Sequence, residues 1–201
     1  MGNLTIEKLN KWAKGSTFVE TGSCEGWTIP VALEHGFKKI HGIELNPELY
    51  NFSLNLSGPL FDSNGNNIGN APLKDHPNVK LWLGDTVELM DEICETLDEQ
   101  TTFWLDAHES GPTMPRGKYG PCPLLQELKS IKKSPRNDHV IMIDDVRILD
   151  TWEWNFITKE SVIKLIYEIN KDYIITYIDG TDPDCEYGYL PNDILVAHLE
   201  N

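Results

Sequence analysis

The sequence predicts an α/β fold built on a seven-stranded, mostly parallel sheet with helices on both faces and an antiparallel final strand. Three observations carry that expectation. Short apolar runs rich in β-branched and aromatic residues alternate with longer amphipathic stretches, the pattern of strands joined by helical crossovers. The segment TFVETGSCEGWTIPVALEHG, residues 17–36, reads as strand, glycine turn and helix. Successive predicted strands close on acidic residues, which collects carboxylates at one sheet edge.

In chain order, a short helix is expected over 6–13 and a first strand over 17–21. A helix over 26–35 leads to a strand over 39–44. Pro47 suits the first turn of a helix over 47–55, where its missing N–H leaves no bond unmade. Residues 57–78, which include NGNNIGNAP, read as a surface excursion. A strand over 79–83, a helix over 86–98 and a strand over 102–106 follow. Residues 109–122 form a long connection after that fourth strand, and ligands of open α/β sheets bind outside the carboxyl ends of strands. A helix over 123–132 and a strand over 139–144 precede a third long connection, 146–158, which places Trp152 and Trp154 near the same edge. A helix over 161–170 and strands over 173–178 and 194–199 complete the set.

The length of 201 residues is enough for one full core and short for two, so a single domain over 1–201 is expected. Seventeen basic residues against 32 acidic ones give a formal net charge of −15, which repels a phosphate backbone and argues against general nucleic-acid binding. The N-terminus shows no signal-peptide core, and no apolar run approaches the roughly 18 residues of a membrane span; a cytoplasmic protein without membrane contact is expected. Cys24, Cys94, Cys122 and Cys185 form no CxxC pair, so neither a zinc cage nor a disulfide framework is indicated.

Gly22 and Gly26 permit close backbone approach beside a helix start with free N–H groups. Alone, that spacing fits a plain tight turn as well as a nucleotide cradle. The next strand ends in Glu44, 22 residues beyond Gly22, near the interval of about 20 residues at which an acidic side chain meets ribose hydroxyls. The third strand ends in Gly84-Asp85 and the fourth in Asp106. The dinucleotide fingerprint G-x-G-x-x-G is absent, which counts against an NAD-dependent Rossmann oxidoreductase.

The run Glu20-Thr-Gly22-Ser-Cys-Glu-Gly26 resembles the E/D-x-G-x-x-x-G first motif of class I S-adenosylmethionine-dependent methyltransferases, with the likeness covering roughly residues 17–145 of a Rossmann-like domain. Cys24 stands where many members have glycine. The resemblance implies S-adenosylmethionine as cofactor, with Glu20 and Gly22 at its methionine part, Glu44 at the ribose diol, Asp85 at the adenine amino group, and Ser23, Gly26 and Asp106 also among the cofactor-binding residues.

Asp106 and the pair Asp144-Asp145 also sit at strand ends. If those strands are neighbours, their carboxylates converge as hard oxygen ligands for Mg2+ or another divalent cation. The arrangement resembles metal-dependent O-methyltransferases of the catechol type, which place an Asp after the fourth strand and an Asp-Asn pair after the fifth; Asp145 takes the Asn place. Three crowded carboxylates must be protonated, hydrogen-bonded or bridged by a cation. The structural alternative makes Asp106 a turn cap and pairs Asp145 with Arg147. His108 is a candidate catalytic base with Asp106, or a nitrogen ligand. Arg116, Lys118 and Tyr119 are candidates for holding the acceptor. The expected activity is O-methylation of a hydroxylated small molecule, such as a sugar or secondary metabolite. A non-catalytic cofactor-binding module is the alternative, and assembly as a homodimer is the expected form of self-association.

Overall fold

The computed structural model describes residues 3–109, 111, 114–181 and 188–200. Along them run α1 (Ile6–Trp12), β1 (Thr17–Thr21), α2 (Thr28–His35), β2 (Lys39–Glu44), α3 (Pro47–Ser53), β3 (Ser57–Phe61), β4 (Asn67–Pro72), β5 (Val79–Leu83) and α4 (Thr86–Glu95). Then follow β6 (Thr101–Leu105), α5 (Leu124–Ile131), β7 (Val140–Ile143), α6 (Lys159–Ile169), β8 (Ile174–Gly180) and β9 (Leu190–His198).

Seven strands form one sheet in the order β5-β2-β1-β6-β7-β9-β8. The first five pair in parallel, and β9 lies antiparallel to both β7 and β8, as the sequence predicts. The chain steps outward from β1 to β2 and β5, then returns to place β6 on the other flank of β1. That reversal opens a crevice at the carboxyl ends of β1 and β6, the topological switch point of an open α/β sheet.

Alternation along the strands divides the core between two faces. Val19, Phe103, Ile141 and Leu195 pack with Met90 and Ile93 of α4, Leu128 of α5 and Ile166 of α6. Their neighbours Phe18, Trp104, Met142 and Val196 face Leu9 of α1 and Ile29 and Leu33 of α2. All of β1, β6 and β7 is buried, as expected of strands covered on both faces. Side chains of Thr5, Asn46, Asp85 and Thr158 cap the starts of α1, α3, α4 and α6, each satisfying an otherwise free backbone N–H. Among the described residues no helix is long and apolar enough to cross a membrane.

The surface excursion expected over 57–78 is instead largely structured. β3 and β4 form a separate antiparallel hairpin, turned by Asp62, whose carboxylate accepts the N–H groups of Asn64 at 2.8 Å and Asn66 at 2.9 Å. Gly58 lets it lie on α2: a Cβ there would stand 2.5 Å from Leu33 Cδ1. The helix expected from residue 26 begins at Thr28, because Cys24 (φ 51°) and Gly26 (φ 81°) hold the turn out of helical geometry. β9 starts at Leu190, four residues before the expected bound. Residues 182–187 of its preceding connection lie outside the described residues.

Candidate active site

A cavity of about 440 Å3 opens at the switch point, within the roughly 300–1,000 Å3 usual for small-molecule sites. Its floor is the turn after β1. Gly22 has φ 71°, and a Cβ there would come within 2.6 Å of the Asp106 carbonyl oxygen and 2.7 Å of Ala107 Cα. At Gly26 a Cβ would meet Ser53 Cβ at 2.8 Å. The absent side chains thus let β1's turn close against both β6 and α3. Glu20, at the end of β1, is fully enclosed; one carboxylate oxygen accepts from the Thr28 hydroxyl, and the other, Oε2, has no partner. Burial pushes its pKa up to about 7. The Ser23 hydroxyl, also buried in the cavity wall, is unpartnered too.

Glu44 ends β2 and braces the turn from the side. Its Oε2 accepts the Cys24 N–H at 2.6 Å and its Oε1 the Asn46 N–H at 2.7 Å, while burial raises its pKa. Asp85 divides its oxygens between two elements. Oδ1 caps α4 by accepting the Val87 N–H at 3.0 Å, and Oδ2 accepts the Lys118 N–H at 2.8 Å, tethering the long connection over the cleft.

The ends of β6 and β7 supply the polar centre. His108 lies between two carboxylates, with Nδ1 3.6 Å from Asp106 Oδ1 and Nε2 3.2 Å from Asp145 Oδ2. Trp154 packs on its ring at 5.4 Å between centroids. Burial lowers the His108 pKa, opposed by the Asp145 charge; the Asp106 carboxyl is driven well up by desolvation and by Asp144 and Asp145. Asp145 has φ 55°, a left-handed backbone that costs a non-glycine residue roughly 1–2 kcal/mol. Its Oδ1 pairs with Arg147, which also pairs with fully buried Asp193. Asp144 turns elsewhere: its Oδ1 accepts from Asn3 Nδ2 at 2.8 Å and from the Asp145 N–H at 2.9 Å. Burial and the Asp145 charge push its pKa up to about 7.

No protein-family model matches the chain, and no curated protein matches it either. Solved structures do. The chain superposes on an O-methyltransferase from Bacillus cereus in complex with SAH at TM-score 0.53 and 12% identity, covering 91% of this chain and 74% of that one. The Streptomyces achromogenes O-methyltransferase TomG, involved in tomaymycin synthesis and complexed with SAM, gives TM-score 0.54 at 11% identity over 92% and 74%. Spermidine synthase from Thermotoga maritima gives TM-score 0.56 at 12% identity over 90% of this chain and 53% of that one; the chain spans about half the length of such a synthase. The fold is that of the class I S-adenosylmethionine-dependent methyltransferases.

Within that methyltransferase fold, the residues expected to hold cofactor, Glu20, Gly22, Ser23, Glu44, Asp85 and Asp106, all line one cavity. Gly26 lies behind the turn against Ser53 rather than in the lining. Of the expected metal set, Asp106 and Asp145 come together and Asp144 does not join them. One ligand atom each from Asp106, His108 and Asp145 lies within 4.8 Å of the others, whereas Asp144 groups with Asp145 and Asp193. The Arg147–Asp145 pair expected as the structural alternative is present. Of the three acceptor candidates only Arg116 lines the cavity, and its guanidinium pairs with Glu109 at 2.6 Å. The Lys118 ammonium lies 3.9 Å from Glu88, and Tyr119 is exposed. Sequence reasoning missed Asn3, Glu109 and Asp193. Asn3 and Asp193 reach their partners from 141 and 46 residues away, and nothing in the local pattern marks them.

Proposed function

We propose that the chain is an S-adenosylmethionine-dependent methyltransferase that methylates an oxygen of a hydroxylated small molecule, such as a sugar or secondary metabolite, with help from a divalent cation. The observation that carries this reading is the pair of orphaned buried polar atoms, Glu20 Oε2 and Ser23 Oγ, in the wall of a switch-point cavity beside the Asp106–His108–Asp145 group. Buried polar atoms without partners are costly, and a ligand bearing ammonium and hydroxyl groups satisfies them. Glu20, Gly22, Ser23, Glu44 and Asp85 would hold S-adenosylmethionine. Bound there it supplies an electrophilic methyl group on a sulfonium, whose positive charge suits the acidic lining.

The chain's own contribution is placement and proton handling. Gly22 brings the cofactor turn directly against the Asp106 segment, so one cavity serves both donor and acceptor, and orientation of this kind is worth several kcal/mol of barrier. Activation of the acceptor hydroxyl falls to His108 and the flanking carboxylates, or to an ion they hold. The class I fold also serves spermidine synthases, so the methyl assignment stands on the site and not on the fold. The sheet counts against an NAD-dependent oxidoreductase, because the antiparallel β9 interrupts the parallel order of a dinucleotide domain.

Calorimetry with S-adenosylhomocysteine, followed by transfer of labelled methyl across a panel of sugars and phenols, tests this reading. Saturable binding lost in Glu20→Gln, with label appearing in a hydroxylated acceptor, is the expected outcome. Binding without transfer to any acceptor would leave the non-catalytic module; absence of binding would end the cofactor assignment.

A further inference from the structure

Building on the reading of this cleft as a methyl-transfer site, we propose that Asp106, His108 and Asp145 form a mixed nitrogen and oxygen site selecting a first-row transition-metal ion over Mg2+. His108 Nε2 stands 3.2 Å from Asp145 Oδ2. Adjacent nitrogen and oxygen ligands of an ion bound at about 2.0–2.2 Å are separated by roughly 3.0–3.4 Å, so this pair already has the edge length of a coordination polyhedron. Asp106 lies on the Nδ1 side at 3.6 Å, and one ligand atom from each of the three residues lies within 4.8 Å of the others.

Both ring nitrogens of His108 face a carboxylate, Asp106 at Nδ1 and Asp145 at Nε2. The surroundings hold the three side chains in this arrangement. Arg147 takes the other oxygen of Asp145, leaving Oδ2 to face His108. Trp154 packs on the imidazole. Asn3 engages the Asp144 carboxylate, which removes it from the group and makes His108 the third ligand.

Ligand chemistry then sets the ion class. Carboxylates and water alone suit Mg2+ and Ca2+, whereas an imidazole shifts preference toward Fe2+, Co2+ and Zn2+. Three protein ligands leave positions open for an acceptor oxygen, whose acidity such an ion would raise.

The test uses chelator-treated, tag-free full-length protein, titrated with Co2+, Zn2+ and Mg2+ by calorimetry with S-adenosylhomocysteine present. Co2+ and Zn2+ are expected to bind about 100-fold more tightly than Mg2+, with Co2+ giving a visible d–d absorption band. His108→Gln is expected to abolish that preference. Nitrogen-14 modulation in the pulsed electron paramagnetic resonance of the native Mn2+ complex gives the same answer should His108→Gln fail to fold. Equal affinity for Mg2+ and Zn2+, or no nitrogen coupling, overturns the nitrogen ligand and leaves the carboxylates as an all-oxygen site. No ion bound while S-adenosylhomocysteine still binds overturns the metal and leaves a methyltransferase reliant on His108 as base. Failure of S-adenosylhomocysteine itself to bind overturns the functional reading beneath it.

Discussion

Gly22 shows how much of the site depends on a missing side chain. Its positive φ and the 2.6 Å approach to the Asp106 carbonyl act together: the first disfavours any L side chain, and the second leaves no space for one. The atoms in the way are backbone, which cannot rotate aside. Gly22→Ala is therefore expected to lose about 1–2 kcal/mol from the left-handed backbone alone and more from the clash. Because the displaced atoms belong to the Asp106 segment, affinity for S-adenosylhomocysteine should fall at least tenfold. Thermal unfolding and calorimetry check the two halves separately. A variant of unchanged melting temperature and affinity would mean that the turn and the β6 segment do not touch as described. Cys24, next but one, shows the complementary case: a non-glycine residue at φ 51° held by the bond from its N–H to Glu44.

At the level of elements, the strands were readable because parallel strands buried on both faces are short apolar runs, and β1, β2 and β5 fall on the expected bounds. The site carboxylates were readable for a topological reason. Parallel strands deliver their last residues to one edge, so Glu20, Glu44 and Asp106 could be grouped before any distance was known. The β3–β4 hairpin was not readable, since Ser57-Gly-Pro and Asn67 to Pro72 carry few β-branched residues, and its pairing is set by the Asp62 turn and by docking on α2. Glu127 was equally hidden: it lies on the amphipathic helix α5 at a position that the fold encloses completely. Burial pushes its pKa up to about 7, Thr86 and Thr21 opposing, and Oε1 has no partner. The sign follows from linkage. A carboxyl with a raised folded-state pKa binds its proton more tightly in the folded chain, so its stability contribution is full below the unfolded value near 4.5 and is lost as pH rises toward 7. Glu127→Gln removes that loss. It should stabilise the protein at pH 8 by up to roughly 3 kcal/mol and change little at pH 4.5, as read from denaturant midpoints at the two pH values. Equal effects at both would show that Glu127 is not held neutral by burial.

Across the whole molecule the dominant physical fact is charge, −15 from 17 basic and 32 acidic residues. The described ion pairs Lys132–Glu168, Lys133–Asp91 and Arg136–Asp138 are solvent-accessible, and such pairs contribute little, so most of the surplus is uncompensated. Self-repulsion of this kind acts over distances comparable to the protein at low ionic strength, where the screening length is about 30 Å at 0.01 M, and is largely screened at 0.15 M, where it is about 8 Å. Sodium chloride is thus expected to raise the melting temperature at pH 8 between those two concentrations, by roughly 2–4 °C for each kcal/mol of repulsion relieved. Lowering the pH to 5 brings carboxyls with raised pKa values, Glu20 and Glu127 among them, into their neutral forms, so the salt response there should shrink. A chelator in every sample separates this general effect from ion binding at Asp106, His108 and Asp145, which needs a divalent ion and saturates at low concentration. A melting temperature that stays flat or falls with sodium chloride at pH 8 would show that the acidic surplus is neutralised locally within the folded chain.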